Sequence, residues 1–554
     1  MLDHFPAKSE IETDINSSHL KQYQREKLFF FVFCLVLVFL IYGRTLGGDF
    51  VFDDRYVAES SHIFLLNNLP QIITSPYWST ESGLYRPVTV ISYAFNYSLF
   101  GAEPWSFHFL NLIFYAWSCY LIFLLVEQFF KKRMLAMLSA VLFLVLTIHS
   151  EAVANIIGRA EILALFFSLL FFLEIARPKT RPALAGLWLI LALGSKEIGS
   201  AALPLGLMLI TFKDKDSENI KTEYKSFFTS VLMGLIYFGA RLQVLGFSYF
   251  KNLETSLVEN PLKFAPLLPR IATAFKILAM YVQKSIWPFG LCSDYSYNQI
   301  PVLKNFWHVG VLLGLAIFIL FCGAIIFFWK RQPILAWAAA VFVLGFLIIG
   351  NIFFPTGTIA GERLVYYPSL GLVIFLAYLL GLTEKIKPRL ISKIILLTAG
   401  MGLIGFYGWQ SYQRSLDWLT EKKLFASAAK CAPNSVLSRS NLGAAYYQAG
   451  DILNAKKELL AAEKIYNGYP KGLNNLGLVY WKENQKEKAK EYFLKALDFK
   501  FPYPGAYENL ALMALEENNL PEARKWLMFF YSGNHIATEA YIQNHLPNKT
   551  QKNY

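Results

Sequence analysis

The stretch NLGAAYYQAGDILNAKKELLAAEKIYNGYPKGLNNLGLVY, residues 441–480, returns to its own opening before it ends. Asn441-Leu442-Gly443 recurs as Asn475-Leu476-Gly477 and again as Asn509-Leu510-Ala511, at intervals of 34 residues. Ala455, Ala489 and Ala523 hold the same register, Tyr446 and Tyr480 share another position, and Gly450, Asn484 and Asn518 mark a turn. A helix–turn–helix unit of this period is the signature of the tetratricopeptide repeat (TPR), and three such units are about the minimum that can share a continuous core. The repeats are expected near 437–470, 471–504 and 505–538, inside a domain at 413–540 that a helix over 414–433 introduces and a tail at 541–554 follows. Arrays of this kind bind peptides or proteins along a concave face, so this domain implies a protein partner.

Upstream of residue 410 the composition changes character. Of the 554 residues, 55% are hydrophobic and only 16% charged, with a mean hydropathy of +0.38. Soluble domains carry about 25% charged residues, so the balance points to membrane. The net charge of +13 belongs with lysines and arginines in cytoplasmic loops, near anionic lipid, and no nucleic-acid partner is expected. Five cysteines (Cys34, Cys119, Cys292, Cys322, Cys431) show no CxxC spacing; isolated thiols are expected, with Cys292–Cys431 as one possible disulfide. The polar start ahead of Leu28–Tyr42, and the absence of a small-residue cleavage site in GRTLGG, read as a signal-anchor.

About 20 apolar residues cross a bilayer as a helix. Candidate spans are 27–43, 106–128, 134–149, 152–176, 183–195, 197–212, 226–245, 307–329, 334–351, 363–381 and 388–408, so about eleven spans are expected within 27–412. The basic segments 21–27, 131–133, 177–182, 213–225, 330–331 and 385–393 then fall on one side, which the positive-inside rule makes the cytoplasm. Residues 1–26 are a cytoplasmic segment and the repeats lie outside the cytoplasm. Residues 269–288, with Arg270, Lys276 and Lys284, are expected at the interface or re-entrant rather than as a twelfth span.

In this topology the polar clusters gather on the external side: Asp53-Asp54-Arg55, Arg86, Glu103, His108, Asn111, His149, Glu151, Lys196-Glu197, Asp294 and Glu362-Arg363. Glu151, Asn155 and Arg159 stand at i, i+4 and i+8, which on a continuous helix makes one stripe descending about 12 Å. Ionisable residues at such depth are functional candidates; the structural alternative is a salt bridge of Arg159 with Glu151 or Glu161. Asp53 and Asp54 could equally cap a helix or shape a turn, and Asp294 reads first as a turn residue. His108 and His149 with the aspartates share no metal-ligand spacing, so no metal is expected.

Six motifs, FDDRYV, LYRPVTVISYAFNYSLFG, HSEAVANIIGRAEILA, LGSKEIG, WPFGLCSDYSYNQIP and GERLVYYPSLG, followed by the repeats, resemble the transmembrane-and-TPR-containing O-mannosyltransferases over nearly the whole chain. The resemblance implies an all-α, GT-C-like transmembrane bundle followed by a TPR solenoid. It implies transfer of mannose or another hexose from a polyprenyl-phosphate carrier to a protein Ser/Thr hydroxyl on the external side. Asp53 and Asp54 match the family's acid of the first external loop, the general base. Arg159, Lys196 and Arg363 are the candidates for the donor phosphate. Arg86, His149, Glu151, Asn155, Glu197, Asp294 and Glu362 are the candidates for sugar or acceptor. Adjacent aspartates, in place of a D-x-D element, imply no metal and no cofactor beyond the lipid-linked sugar. Fewer repeats than in animal members suggest a short, prokaryotic-type member of a bacterial inner membrane, using undecaprenyl phosphate. The competing readings are a non-catalytic, membrane-anchored TPR scaffold for envelope assembly and, with no inverted repeat visible, a transporter.

Overall fold

The computed structural model describes residues 8–59, 66–78, 83–177, 179–212, 220–246, 256–382, 390–499 and 502–545. Residues 1–7 of the N-terminal segment, 213–219 and 385–389 of two basic loops, and 546–554 of the tail lie outside the described residues. Among the described residues the secondary structure is helical, with no strand, in keeping with the all-α expectation.

Helix α1 (Lys8–Tyr42) leads into a long loop bearing α2 (Arg55–Glu59), α3 (Leu69–Thr74) and α4 (Pro87–Phe100). The bundle continues through α5 (Pro104–Phe130), α6 (Arg133–Val145), α7 (Ser150–Ala154), α8 (Arg159–Ala176), α9 (Pro182–Ser195), α10 (Ala202–Thr211) and α11 (Ile220–Leu245). It is completed by α12 (Leu267–Ile286), α13 (Val309–Phe328), α14 (Pro333–Ile349), α15 (Ser369–Gly381) and α16 (Leu390–Ser415). Pro87, Pro104, Pro182 and Pro333 each sit in the first turn of their helix, where the missing N–H breaks no bond and the fixed φ favours helix.

Among the described residues five helices, Lys21–Gly47, Pro104–Phe130, Ile156–Ala176, Lys221–Leu245 and Val309–Phe328, are long and apolar enough to cross a membrane; a sixth crossing arises if Arg133–Val145 and Thr147–Ala154, bent by 53°, act as one. Pro182–Ser195, Glu197–Thr211, Pro333–Ile349 and Ser369–Gly381 are apolar but shorter. The chain is an integral membrane protein, and the expected count of eleven requires these four shorter helices and α16 to cross as well. The four are short for a shared reason. α9 stops at Lys196, α7 and α8 are separated at Asn155, and α14 and α15 are separated by the segment that holds Glu362 and Arg363. Lys196, Glu362 and Arg363 stand in these breaks, and Glu151 and Arg159 flank the one at Asn155. α12 carries Arg270, Lys276 and Lys284 and is not among the helices apolar enough to cross. It buries Ala272, Phe275 and Leu278 while Leu267, Leu268 and Ile286 stay exposed.

The expected stripe of Glu151, Asn155 and Arg159 is corrected by this break. Asn155 is extended (φ −82, ψ 129) and its side-chain oxygen accepts from Ile157 N, opening a 3-10 turn at Ile156–Gly158. A Cβ at Gly158 would lie 2.1 Å from the Ala152 carbonyl oxygen, so only glycine lets the chain fold back so closely. The three side chains therefore leave in different directions.

Beyond α16, α17 (Glu421–Cys431) precedes three helical hairpins: α18 (Val436–Gln448) with α19 (Ile452–Ile465), α20 (Pro470–Lys482) with α21 (Lys486–Leu497), and α22 (Pro504–Glu516) with α23 (Leu520–Phe530). α24 (His535–His545) follows the last hairpin. The repeated residues now have physical roles. Ala455, Ala489 and Ala523 are fully buried between helices. A Cβ at Gly443 or Gly477 would come within 2.5 Å of Leu459 or Phe493 respectively. Gly450, Asn484 and Asn518, at equivalent turns, have φ of 78, 61 and 56, the left-handed conformation that ends helices.

The hairpins are joined firmly to the bundle. Cys292 and Cys431 form a disulfide, Cα–Cα 5.8 Å, which realises the pairing that the sequence left open. Beside it, Val436 N donates to Tyr297 O (2.7 Å) and Asn298 N to Asn434 O (2.9 Å). A shared core of Val51, Ala154, Trp418, Leu424, Phe425 and Leu442 closes the junction.

Candidate functional site

The 3-10 turn Phe52–Asp54 sets the centre of the site. Phe52 has a φ of 55, a backbone state that a bulky L-residue adopts at a cost of about 1–3 kcal/mol and only where its surroundings enforce it. Those surroundings come from the segment ahead of the repeats. Glu421 accepts from Phe52 N (3.3 Å) and pairs with Arg55. Phe425 meets the Phe52 ring edge-on at 5.8 Å, and Asp49 N donates to Leu419 O (3.0 Å).

The clamped turn sends its two aspartates to different environments. Asp54 is fully buried and accepts from Ile156 N (3.2 Å) and Ile157 N (2.9 Å). It thereby caps the turn that separates α7 from α8. Burial pushes its carboxyl up to about 7, against the pull of the two amides and with the help of its charged neighbour Asp53. Asp53 keeps 21% of its side chain exposed, 3.7 Å from Arg363 Nη2. Burial raises its carboxyl as well, opposed by Arg363 and by Lys471 from α20.

Around Asp53 the helix breaks deliver a set of cross-linked charges. Arg363 donates its backbone N to Glu151 at 3.0 Å and sets its Nε 3.5 Å from the same carboxylate, while its Nη1 is buried without a hydrogen-bond partner. Lys196 pairs with Glu161 and lies near enough to Arg86 and Arg363 to be repelled by both. Arg86 forks onto Glu197 (Nη2–Oε2 2.8 Å), which Arg241 also approaches (3.4 Å). Each of these cations meets a carboxylate, and the edge of Arg363 left over at Nη1 is of the kind that suits a phosphate.

Of the predicted residues, Asp53, Arg86, Glu151, Lys196, Glu197 and Arg363 are brought together here. Others are occupied elsewhere. Arg159 is wholly buried, with Nε on Asn111 (2.8 Å), Nη2 on Asn96 (3.0 Å) and Phe107 O (2.7 Å), and Nη1 on Ser92 O (3.2 Å). The alternative of an ion pair with Glu151 or Glu161 is not what holds it, because the break at Asn155 turns it towards α4 and α5. His149 is buried between Ser369 Oγ (2.7 Å) and Tyr115 OH (3.2 Å). Asn155 is the capping residue described above. Asp294 accepts from Ser296, Ser435 and Ser438, tying the loop after α12 to α18. Glu362 is fully buried and holds Tyr295 OH (2.6 Å), Cys292 N and, at 3.8 Å, Arg414. Among the described residues no three His, Cys, Asp or Glu side chains gather as a metal-binding group.

Glu421, Lys471, Arg241 and Arg414 were not singled out by the sequence. Arg241 carried a usable signal, a solitary charge within the apolar run 226–245. Glu421 and Lys471 carried none, since each is an ordinary charge near the start of a soluble-looking helix.

A family profile described as the tetratricopeptide repeat matches residues 470–501. The mouse (Mus musculus) protein O-mannosyl-transferase TMTC3 is 27% identical over 441 residues, covering 73% of this chain and 47% of its own length. The Caenorhabditis elegans protein O-mannosyl-transferase F38B6.6 is 28% identical over 423 residues (73% and 58%). The human protein O-mannosyl-transferase TMTC4 is 27% identical over 466 residues (73% and 62%). The chain thus spans about half the length of the curated relatives it matches. No solved structure matches it. The resemblance carried by the six motifs is therefore a sequence similarity to the transmembrane-and-TPR-containing O-mannosyltransferases that extends over 73% of this chain.

Proposed function

We propose that this protein is a membrane glycosyltransferase that moves mannose, or another hexose, from a polyprenyl-phosphate carrier to a Ser/Thr hydroxyl of a protein guided by the repeats. The observation that carries the reading is the pairing of a partly exposed Asp53 with Arg363, whose buried Nη1 has no protein partner. In this reading Asp53 accepts the acceptor hydroxyl's proton as that oxygen bonds to the anomeric carbon. The bond from that carbon to the phosphate oxygen breaks, and its electron pair leaves with the lipid phosphate. Arg363, Lys196 and Arg86 hold that developing charge in a water-poor site, where fixed cations act strongly. Attack opposite the phosphate inverts the anomeric centre. Asp54 supports the turn and is not the base, since its two oxygens are already engaged by the amides of Ile156 and Ile157.

The reading places the site and the repeats outside the cytoplasm of a bacterial cell, in its inner membrane. The Cys292–Cys431 disulfide fits such an oxidising compartment. Side-chain cations serve the leaving group, so the proposed reaction includes no metal or cofactor. The test is transfer from a labelled lipid-linked hexose to envelope proteins. Asp53→Asn should lower it by about 10²–10⁴-fold, the usual contribution of a general base, while Asp54→Asn retains most activity. Full activity in Asp53→Asn sinks the assignment. Retained partner binding with no transfer by the wild-type protein would favour the scaffold reading.

A further inference from the structure

The other end of the bundle holds a second, separate feature. α5 has 27 residues, about 40 Å at the helical rise; its first turns lie by the site and its last turn borders a cavity. That cavity, of about 670 Å³, opens between α1, α5, α6 and α8 and is lined by Tyr23, Lys27, Glu127, Lys131, Arg133 and Arg177, with Leu124 and Leu173 on its apolar side. Its charge is unbalanced. Glu127 accepts from both Tyr23 (2.9 Å) and Lys27 (3.1 Å). Glu174 behind it already receives Arg181 through Nε (3.0 Å), Nη2 (2.7 Å) and the backbone N (2.9 Å), with Arg177 as a further claimant at 3.4 Å. Arg133 pairs with Glu26 at a position about one-third exposed. Lys131, in the left-handed turn that ends α5 (φ 51), has no carboxylate partner among the described residues, and Lys132 and Lys179 lie exposed nearby in sequence.

We infer that this cavity binds the phosphate headgroup of an anionic phospholipid, independently of the transferase reading. The headgroup's phosphodiester meets Lys131, Arg177, Arg133 and Lys27. The first methylenes of an acyl chain lie along Leu124 and Leu173, which stand one to two helical turns further into the bundle. Basic pockets between helix ends at a membrane surface suit such lipids, and the apolar side separates a lipid from free phosphate, which could use only the cations.

The test is native mass spectrometry of the delipidated full-length protein in detergent, with phosphatidylglycerol, phosphatidylcholine or inorganic phosphate as probe. Wild-type protein should retain phosphatidylglycerol at least tenfold better than phosphatidylcholine, and millimolar inorganic phosphate should not displace it. Lys131→Gln with Arg177→Gln, both at exposed positions, should abolish the preference at unchanged helicity. Lys131→Arg should keep it, and Lys330→Gln with Arg331→Gln, in the turn between α13 and α14, should leave it unaltered. Equal retention of phosphatidylglycerol by the wild type and the Lys131/Arg177 variant overturns the proposal. So does displacement by inorganic phosphate, which would make this a soluble-anion site.

Discussion

The two ends of the bundle use the same kinds of ion pair in opposite settings. At the site end, Lys196–Glu161, Arg363–Glu151 and Arg414–Glu362 have side-chain exposures of 12%/4%, 20%/4% and 7%/0%. At the far end, Lys27–Glu127 and Arg133–Glu26 stand at 24%/12% and 35%/38%. At the far end the charges stand on intact helices, Glu26 and Lys27 on α1, Glu127 in the last turn of α5 and Glu174 in the last turn of α8. At the site end the helices stop early, and the charges occupy the gaps. An exposed pair contributes about 0–1 kcal/mol, whereas a buried pair is expensive to assemble and about 3–5 kcal/mol worse when one partner is removed. The site end therefore keeps a costly arrangement that folding alone does not require, and this difference supports the site proposed there.

The strongest way to break the comparison is to neutralise one carboxylate at each end. Asp53→Asn should reduce sugar transfer by two orders of magnitude or more, while Glu26→Gln leaves transfer within a factor of two; equal losses in the labelled-donor assay would erase the distinction. In thermal unfolding, Glu161→Gln, which strands Lys196 inside the bundle, should cost about 3–5 kcal/mol. Arg133→Gln at the far end should cost less than about 1 kcal/mol.

The junction sharpens the contrast next. Cys292→Ser with Cys431→Ser releases a cross-link between residues 139 apart and should lower stability by about 2–4 kcal/mol. It should also weaken transfer, since Cys292 N donates to Glu362, the neighbour of Arg363. Unchanged activity at reduced stability would separate the repeats' attachment from the site's geometry.

Asp54 makes a prediction in pH. Its carboxyl is raised from 3.8 to about 7 by burial, so the folded protein holds a proton there that the unfolded chain has already released. Its contribution to stability is complete below about pH 4 and is lost as pH rises through about 7. Asp54→Asn keeps one accepting oxygen, enough for Ile157 N or Ile156 N but not for both, and, having no titrating group, should flatten that slope in denaturation curves taken between pH 4 and 8. A slope equal to that of the wild type would mean that another group carries it. The smallest effect belongs to the array's turns: Asn518→Gly, at φ 56, should change stability by no more than about 1 kcal/mol, seen as a small shift in melting temperature with transfer untouched.

Much of this was legible because it is local. The 34-residue period places the same small residues at every helix crossing, and Gly443 and Gly477 are small because Leu459 and Phe493 press on them. Apolar runs announce helices wherever they occur, and an Arg, Lys or Glu inside one stands out against the cost of burial. Reading by helical period failed at one kind of place, where the helix is interrupted. Glu151, Asn155 and Arg159 look like one face until Asn155 leaves the helix. Arg159 then becomes a structural post saturated by Asn96, Asn111 and two carbonyl oxygens, and His149 becomes a core residue.

The sequence by itself determined the all-helical class, the membrane and repeat halves, and the neighbourhood of the charged loops, because these follow from composition, period and burial cost along a continuous chain. Tertiary structure alone decided which aspartate faces Arg363 and which caps a buried turn. That choice depends on Glu421 and Phe425, more than 360 residues away in sequence, holding Phe52 in a conformation it would not take alone. It also decided that the repeats lie against that turn, since a disulfide, a shared core and Lys471 bring them there. Such contacts arise from packing between segments distant in sequence, and no local pattern records them.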